Sequence, residues 1–191
     1  RIDPGASLFA SFALHIYTVA LAGPDSLTYL FHPKIPYTHH CFLVLLSFIF
    51  LRFKSYAVEL LPMPLFIVFC NFQLVLSLII GRFVFEKTFN WGQIASVLLV
   101  TAGCTIITLA SMQPSTSSTK TPQEIGLGIC YILIAVTALA LLIPNGCLFV
   151  QRYNANPKEQ IFMQHFLALP LFLLQWDKIS PRFESMFAAT S

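Results

Sequence analysis

The chain has 191 residues, of which 57% are hydrophobic and only 10% are charged. Its mean hydropathy is +0.75. Because soluble domains carry about 25% charged residues, this chain has too few charges to cover a surface that faces water. The composition therefore predicts an all-α integral membrane protein whose solvent is the lipid bilayer. The net charge is only +3, and the lysines and arginines do not form a basic cluster, which argues against a nucleic acid partner.

Six apolar runs separated by short polar breaks are predicted to cross the membrane as helices, since a span needs about 20 mostly apolar residues. In chain order they cover residues 6–22, 38–53, 62–81, 92–112, 125–150 and 160–176. The third and the fifth are clear because they contain no charge. The first, second and sixth are shorter, and we expect them to tilt or to rely on neighbouring helices. Together they predict one transmembrane domain.

Proline, glycine and polar clusters mark the ends of these runs. Gly23-Pro24-Asp25 ends the first run, while Pro62 and Pro64 fit the first turn of the third, where a missing N–H costs little. Residues 113–123 have loop composition. Because the first residue is Arg1 and no leader pattern precedes the first run, the chain is interpreted as a fragment. The loop lysines and arginines divide five against six and predict no orientation.

Small residues and cysteines lie inside the apolar runs. Gly126 and Gly128 thin the fifth run and are predicted to let helices approach closely. Pro144-Asn145-Gly146 predicts a kink, which either shapes packing or serves a moving gate. The five cysteines lack ligand spacing and are predicted to be buried, reduced thiols rather than disulfides or a metal site. They are Cys41, Cys70, Cys104, Cys130 and Cys147.

Polar side chains within apolar runs are candidates for function, because they are costly in hydrocarbon and usually face the bundle interior. They are His15, Asn71, Gln73, Asn145, Gln164 and His165, with Lys54, Ser55 and Tyr56 at a predicted helix end. Cys70, Gln73 and Ser77 share one helix face, which either lines a cavity or bonds a neighbouring helix.

The sequence contains none of the common catalytic motifs of enzymes. The sequence has no G-x-S-x-G, no H-E-x-x-H, no Walker loop and no acidic pair within a span. His15 and His165 lie in different runs and do not form a pair of bis-His sites, so neither haem nor another cofactor is predicted. A carrier is therefore favoured over an enzyme.

Two stretches resemble nucleotide-sugar transporters of the drug/metabolite transporter superfamily. Residues 62–108, PMPLFIVFCNFQLVLSLIIGRFVFEKTFNWGQIASVLLVTAGCTIIT, are similar to the fourth and fifth helices of that family. Residues 158–174, KEQIFMQHFLALPLFLL, are similar to the beginning of the seventh helix in the UDP-xylose and UDP-N-acetylglucosamine transporter subfamily. The preceding loop, RYNANPKEQ, matches the connection from the sixth helix of that subfamily.

The resemblance implies a helical bundle that supplies the second to the seventh of about ten helices arranged as inverted repeats. It also implies a multi-pass protein of the Golgi or endoplasmic reticulum membrane. There it would import UDP-N-acetylglucosamine, UDP-xylose or both in exchange for UMP, without a cofactor, and the family allows a homodimer. A non-transporting membrane scaffold of the same fold is the alternative, and a haem-binding oxidoreductase is a more distant one.

Some positions depart from the family's pattern. Cys70 followed by Asn71 stands where relatives often have a basic residue, and Lys54-Ser55 stands where they often have paired asparagines before Tyr56-Ala57. Lys54 either replaces the lost positive charge or lies at the membrane interface, and the second reading is favoured. The candidate substrate-binding residues are Lys54, Ser55, Tyr56, Cys70, Asn71, Gln73, Asn145 and His165.

Overall fold

The computed structural model describes residues 4–111, 121–173 and 180, and the ordered elements within those ranges are helices. Seven α-helices follow one another, with a short 3-10 turn, Pro24–Leu27, after the first. They are α1 (Pro4–Ala22), α2 (Thr28–Phe31), α3 (Tyr37–Leu60), α4 (Met63–Phe83), α5 (Trp91–Ser111), α6 (Pro122–Arg152) and α7 (Pro157–Leu173). The predicted helical membrane fold is thus confirmed. Residues 112–120 and 174–176, which include most of the predicted loop and the end of the predicted sixth span, lie outside the described residues.

Side-chain caps explain where the long helices begin. At α6, Glu124 Oε2 accepts the Thr121 N–H at 2.7 Å and Thr121 Oγ1 accepts the Glu124 N–H at 3.3 Å, which is a capping box. At α7, Asn156 Oδ1 accepts the Lys158 N–H at 3.0 Å. A proline at the first helical position follows both caps, where its missing N–H leaves no bond unmade.

The length and exposure of the helices fit a bilayer. Among the described residues, α3, α4 and α6 are long and apolar enough to cross a membrane, and the ranges Phe9–Ala22 and Trp91–Ile107 form shorter apolar helices. Large apolar side chains on α5 are widely exposed, with Leu99 at 76%. Such surfaces are stable in lipid but not in water, so the described helices form a multi-span membrane fold.

The chain divides into two compact units. Unit 1 contains Arg1–Phe48 and Asn145–Ser191, and unit 2 contains Ile49–Pro144. In unit 1, α1 packs against α7, and the rings of Phe12 and Phe172 lie 5.8 Å apart. This contact places the helix of His15 beside the helix of His165.

In unit 2, α4 packs against α5, while the end of α3 packs against the beginning of α6. The buried apolar core of this unit combines residues from α3, α4 and α6. Its members are Ala57, Leu61, Phe66, Ile132, Ala135 and Val136. The small side chains among them, Ala57 and Ala135, let the helices approach closely.

The cysteine prediction needs a correction. All five thiols are free, but Cys41, Cys130 and Cys147 are exposed rather than buried. Cys70 and Cys104 are partly buried. An apolar run predicts an apolar environment, and on a membrane helix that environment is lipid as often as protein. The prediction of burial was therefore wrong for three positions.

Candidate functional site

In unit 2, the candidate residues of α3 lie inside the helix rather than at its end. The helix continues to Leu60, six residues beyond Lys54. The Lys54 Nζ lies 5.4 Å from the centre of the Phe50 ring, a cation–π distance. Ser55 is 9% exposed and donates from Oγ to the Leu51 carbonyl at 2.9 Å. Because that hydroxyl hydrogen is already used within α3, Ser55 has less to offer a ligand than Lys54.

Tyr56 belongs to an aromatic and cationic cluster of unit 2. Arg52 Nη2 donates to the Tyr56 hydroxyl at 2.6 Å, and the guanidinium carbon lies 5.0 Å from the centre of the same ring. Across to α6, the rings of Tyr56 and Tyr131 lie 5.7 Å apart, and those of Phe53 and Tyr131 lie 5.6 Å apart. The sequence analysis named neither Arg52 nor Tyr131 as a site residue. The four-residue spacing of Arg52 and Tyr56 is a signal that could have identified the first.

The candidate residues of α4 are Cys70, Asn71 and Gln73. Cys70 packs against the core of unit 2, and its thiol is within electrostatic range of the Lys54 ammonium group. Asn71 and Gln73 are partly buried. The polar face of α4, Cys70, Gln73 and Ser77, does not line the cavity between α4 and α5.

In unit 1, His165 contacts a second histidine. The rings of His15 on α1 and His165 on α7 meet edge to face, with centres 4.5 Å apart. His15 is 5% exposed, and its Nδ1 donates to the Ser11 carbonyl at 2.7 Å. Among the described residues, His165 Nδ1 is buried without a hydrogen-bond partner. That atom remains available for a polar group that enters between the helices.

Asn145, the other candidate of unit 1, is partly buried and begins the part of α6 that belongs to this unit. The helix runs unbroken through Pro144. The amide end of the Gln160 side chain of α7 lies against Gly146, in the space that a side chain there would occupy. Asn145 and His165 lie in unit 1, whereas the other six candidates lie in unit 2.

Unit 1 also contains polar contacts that the sequence analysis did not predict. The buried Glu159 of α7 accepts a hydrogen bond from the Ile35 backbone N–H and lies near His40 of α3. Lys34 Nζ donates to the Asn154 carbonyl at 3.3 Å. These contacts join residues more than 100 positions apart along the chain. No spacing rule connects such distant segments, so the sequence carries no signal for them.

An apolar cavity of about 620 Å³ lies between α4 and α5 in unit 2. Its lining combines apolar side chains with Arg82 and Thr88 and includes none of the eight candidate residues. Beside it, the Lys87 N–H donates to the Gly81 carbonyl at 2.9 Å and closes the turn between the two helices. The Phe89 ring occupies the space that a Gly81 side chain would need, with a ring carbon 2.7 Å from the position of a Cβ atom.

Each unit offers its own groups to a ligand. In unit 2, Lys54 and Arg52 supply positive charge, and Tyr56 and Tyr131 supply rings. In unit 1, His165 supplies a ring nitrogen that has no hydrogen-bond partner among the described residues. In the part of the chain that the structure describes, no three His, Cys, Asp or Glu side chains are placed to hold a metal ion.

The sequence is similar to known nucleotide-sugar transporters over most of its length. It is 30% identical over 198 residues to the "Endoplasmic reticulum GDP-fucose transporter" of Drosophila melanogaster, covering 96% of this chain and 55% of that protein. It is 26% identical over 151 residues to the "UDP-xylose and UDP-N-acetylglucosamine transporter" of Danio rerio, covering 74% and 46%. It is 27% identical over 189 residues to the human "Nucleotide sugar transporter SLC35B4", covering 91% and 55%.

The chain thus spans about half the length of these relatives. The relatives are transporters and not enzymes, as the absence of catalytic motifs predicted. The sequence profile of the UAA transporter family matches residues 7–191. Since that match covers nearly all of the chain, the protein belongs to the UAA transporter family.

Proposed function

We propose that the protein carries a nucleotide sugar across the Golgi or endoplasmic reticulum membrane. The substrate is UDP-N-acetylglucosamine, UDP-xylose or both, which enter the lumen while UMP leaves. Family membership supports transport, and the names of several relatives support UDP-N-acetylglucosamine. Exchange needs no covalent chemistry. It needs a site that opens alternately to the two sides of the membrane.

Lys54 is the observation that carries this proposal. Its ammonium group belongs to α3, an apolar helix long enough to cross a membrane, and its neighbour is the Phe50 ring. In the described part of the chain, no carboxylate lies within ion-pair distance of it. A lysine in a span is costly without an anionic partner, and a nucleotide diphosphate supplies one.

The aromatic cluster gives the rest of the nucleotide a surface to bind. The Tyr56 and Tyr131 rings lie beside Arg52, one turn of α3 before Tyr56. Aromatic faces stack on nucleobases of any kind, and arginine adds hydrogen-bond donors for phosphate. Asn145 and His165 remain separate proposals for substrate contact within unit 1, where their polar groups can form hydrogen bonds.

GDP-fucose is a second candidate substrate, favoured by one observation. The Drosophila melanogaster relative, which matches 96% of the chain, is named for GDP-fucose rather than for a UDP-sugar. The described side chains offer stacking and charge, which both nucleotides accept equally. Competition between a UDP-sugar and GDP-fucose for uptake would therefore show which substrate is preferred.

Uptake by the full-length gene product in proteoliposomes tests the proposal. Vesicles preloaded with UMP should accumulate radiolabelled UDP-N-acetylglucosamine or UDP-xylose above empty vesicles. Preloading with GMP and offering GDP-fucose tests the second candidate. Uptake that matches empty vesicles for every nucleotide sugar would refute transport and favour the non-transporting scaffold.

A variant pair tests the role of Lys54. Lys54→Gln should raise the KM for the nucleotide sugar at least tenfold, because losing one charge-assisted phosphate contact removes about 1.5–3 kcal/mol. Lys87→Gln, an equal charge change in the exposed turn after α4, is the matched control and should leave KM unchanged. An unchanged KM for both variants would show that Lys54 lies at the interface instead.

A further inference from the structure

Glu159 and His40 lie inside unit 1, with only 1% and 0% of their surface exposed. Glu159 is in the first turn of α7, and His40 is in the first turn of α3. The Glu159 Oε1 accepts the Ile35 backbone N–H at 3.0 Å, and His40 Nε2 lies 3.8 Å from the same oxygen. A buried carboxylate is costly unless it has such partners, so these contacts restrict where α7 can begin.

The neighbouring residues strengthen this connection. Lys34, directly before Ile35, donates from Nζ to the Asn154 carbonyl in the turn that precedes α7. Two consecutive residues before α3 are therefore bonded to the segment around the beginning of α7. Ile35 is itself 0% exposed, so its N–H has no access to water as an alternative partner.

The position of the first turn of α7 determines the position of the residues that follow in the same helix. The helix is continuous from Pro157 to Leu173, and six residues separate Glu159 from His165, a distance of about 9 Å along the axis. His165 in turn contacts His15 of α1. Fixing Glu159 thus fixes where Gln164 and His165 lie relative to the helix against which they pack.

We propose that Glu159 is a positioning residue of the transport site. Its carboxylate holds the beginning of α7 against the chain before α3 and so places Gln164 and His165 for substrate. The inference rests on the proposed function for its effect on substrate, whereas the anchoring contact itself is independent of substrate. Nothing in the family match or in the names of the relatives assigns this role to Glu159.

A single carboxylate oxygen of Glu159, Oε1, contacts both Ile35 and His40. The second oxygen, Oε2, and both ring nitrogens of His40 have no hydrogen-bond partner among the described residues. Glu159→Gln therefore keeps an acceptor oxygen at full reach while it removes the negative charge. Glu159→Asp keeps the charge but withdraws the carboxylate by about 1.5 Å, one C–C bond. The two variants separate reach from charge.

Amide hydrogen exchange of the full-length protein in nanodiscs tests the anchor. In Glu159→Asp, exchange in the peptide that contains Ile35 should rise about tenfold or more, because a buried N–H bond is lost. In Glu159→Gln, exchange should stay within about threefold of wild type. Glu86→Asp and Glu86→Gln, made at an exposed loop glutamate, are matched controls and should change nothing. Unchanged exchange in Glu159→Asp would overturn the anchor.

Uptake kinetics test positioning separately from stability. For equal amounts of folded protein, Glu159→Asp should raise the KM for nucleotide sugar about tenfold, and Glu159→Gln should restore it to within about threefold. Raised exchange at Ile35 with an unchanged KM would overturn the positioning role and leave a structural contact. If wild-type protein transports no nucleotide sugar, the proposed function and the positioning role fail together, while the exchange result still decides the anchor.

Discussion

Gly128 of α6 should not tolerate alanine, whereas Gly126 on the same helix should. Gly128 is buried where α6 passes the end of α3. A Cβ atom there would lie 2.8 Å from Leu61 Cγ and 3.0 Å from Leu60 Cβ. Around Gly126 nothing lies within 4 Å of the same position. Both glycines lie in one helix of unit 2, so the pair separates close packing from backbone preference.

The two substitutions are expected to change the free energy of unfolding differently. Ordinary carbon contacts begin at 3.4 Å, so Leu61 must move by roughly 0.6 Å, and it is only 3% exposed within the core. Overpacking of this kind costs about 1–3 kcal/mol. Replacing a helical glycine by alanine gains about 0.8–1.0 kcal/mol. Gly128→Ala should therefore be neutral to about 2 kcal/mol less stable, while Gly126→Ala should be up to about 1 kcal/mol more stable.

Thermal unfolding of the full-length protein in detergent or nanodiscs measures this difference. Because the two variants should differ by about 1–3 kcal/mol in their free energy of unfolding, Gly128→Ala should melt measurably below Gly126→Ala. If Gly128→Ala melts at the same temperature as Gly126→Ala or higher, the close approach of α3 and α6 at this point is refuted. In a Leu61→Ala background, which lacks the Cγ and Cδ2 atoms at the collision, Gly128→Ala should cost less than it does in the wild-type background.

Two further predictions use the same assay. Tyr56→Phe keeps both ring contacts but removes the hydroxyl that accepts from Arg52, so stability should fall by about 1 kcal/mol. Tyr17→Phe, exposed on α1, should show no change, and equal melting of Tyr56→Phe and wild type would contradict the bond. Thr121→Ala removes the side-chain half of the capping box at α6 and should cost about 0.5–2 kcal/mol. Thr137→Ala, whose hydroxyl bonds only within α6, is its control, and an equal effect of both would argue against the cap.

The helices could be predicted from the sequence because local patterns determine them. Apolar length selects the membrane, and a cap with proline at the first helical position marks the beginning of α6 and of α7. The end of α3 was misjudged, since Lys54 was taken as a helix end while the helix continues to Leu60. One lysine does not stop a helix, because its long side chain can keep the charge near an aromatic ring or water.

The site was less predictable because partners come from distant parts of the chain. Polar residues in apolar runs identified Lys54 and His165, but not the residues they meet. Tyr131 lies in α6, far from Tyr56 in sequence, and His15 lies in α1, far from His165. Only the packed helices show which polar groups satisfy one another. Glu159 escaped notice because a glutamate in the first turn of a helix is ordinarily an exposed favourable charge.

The contacts that each candidate residue already makes within the protein determine what it can offer to a substrate. Ser55 donates its hydroxyl hydrogen within its own helix, so a ligand would have to break that bond to receive it. Lys54 contacts a ring, and no carboxylate among the described residues pairs with it, so an anionic ligand would break no described ion pair there. Glu159 carries the same sign as a diphosphate and would repel it, yet Ile35 and His40 hold it inside unit 1. Under the proposed function, charge therefore favours Lys54 as a contact of the nucleotide and Glu159 as a structural residue of unit 1, and their conservative variants should differ accordingly in KM and in amide exchange.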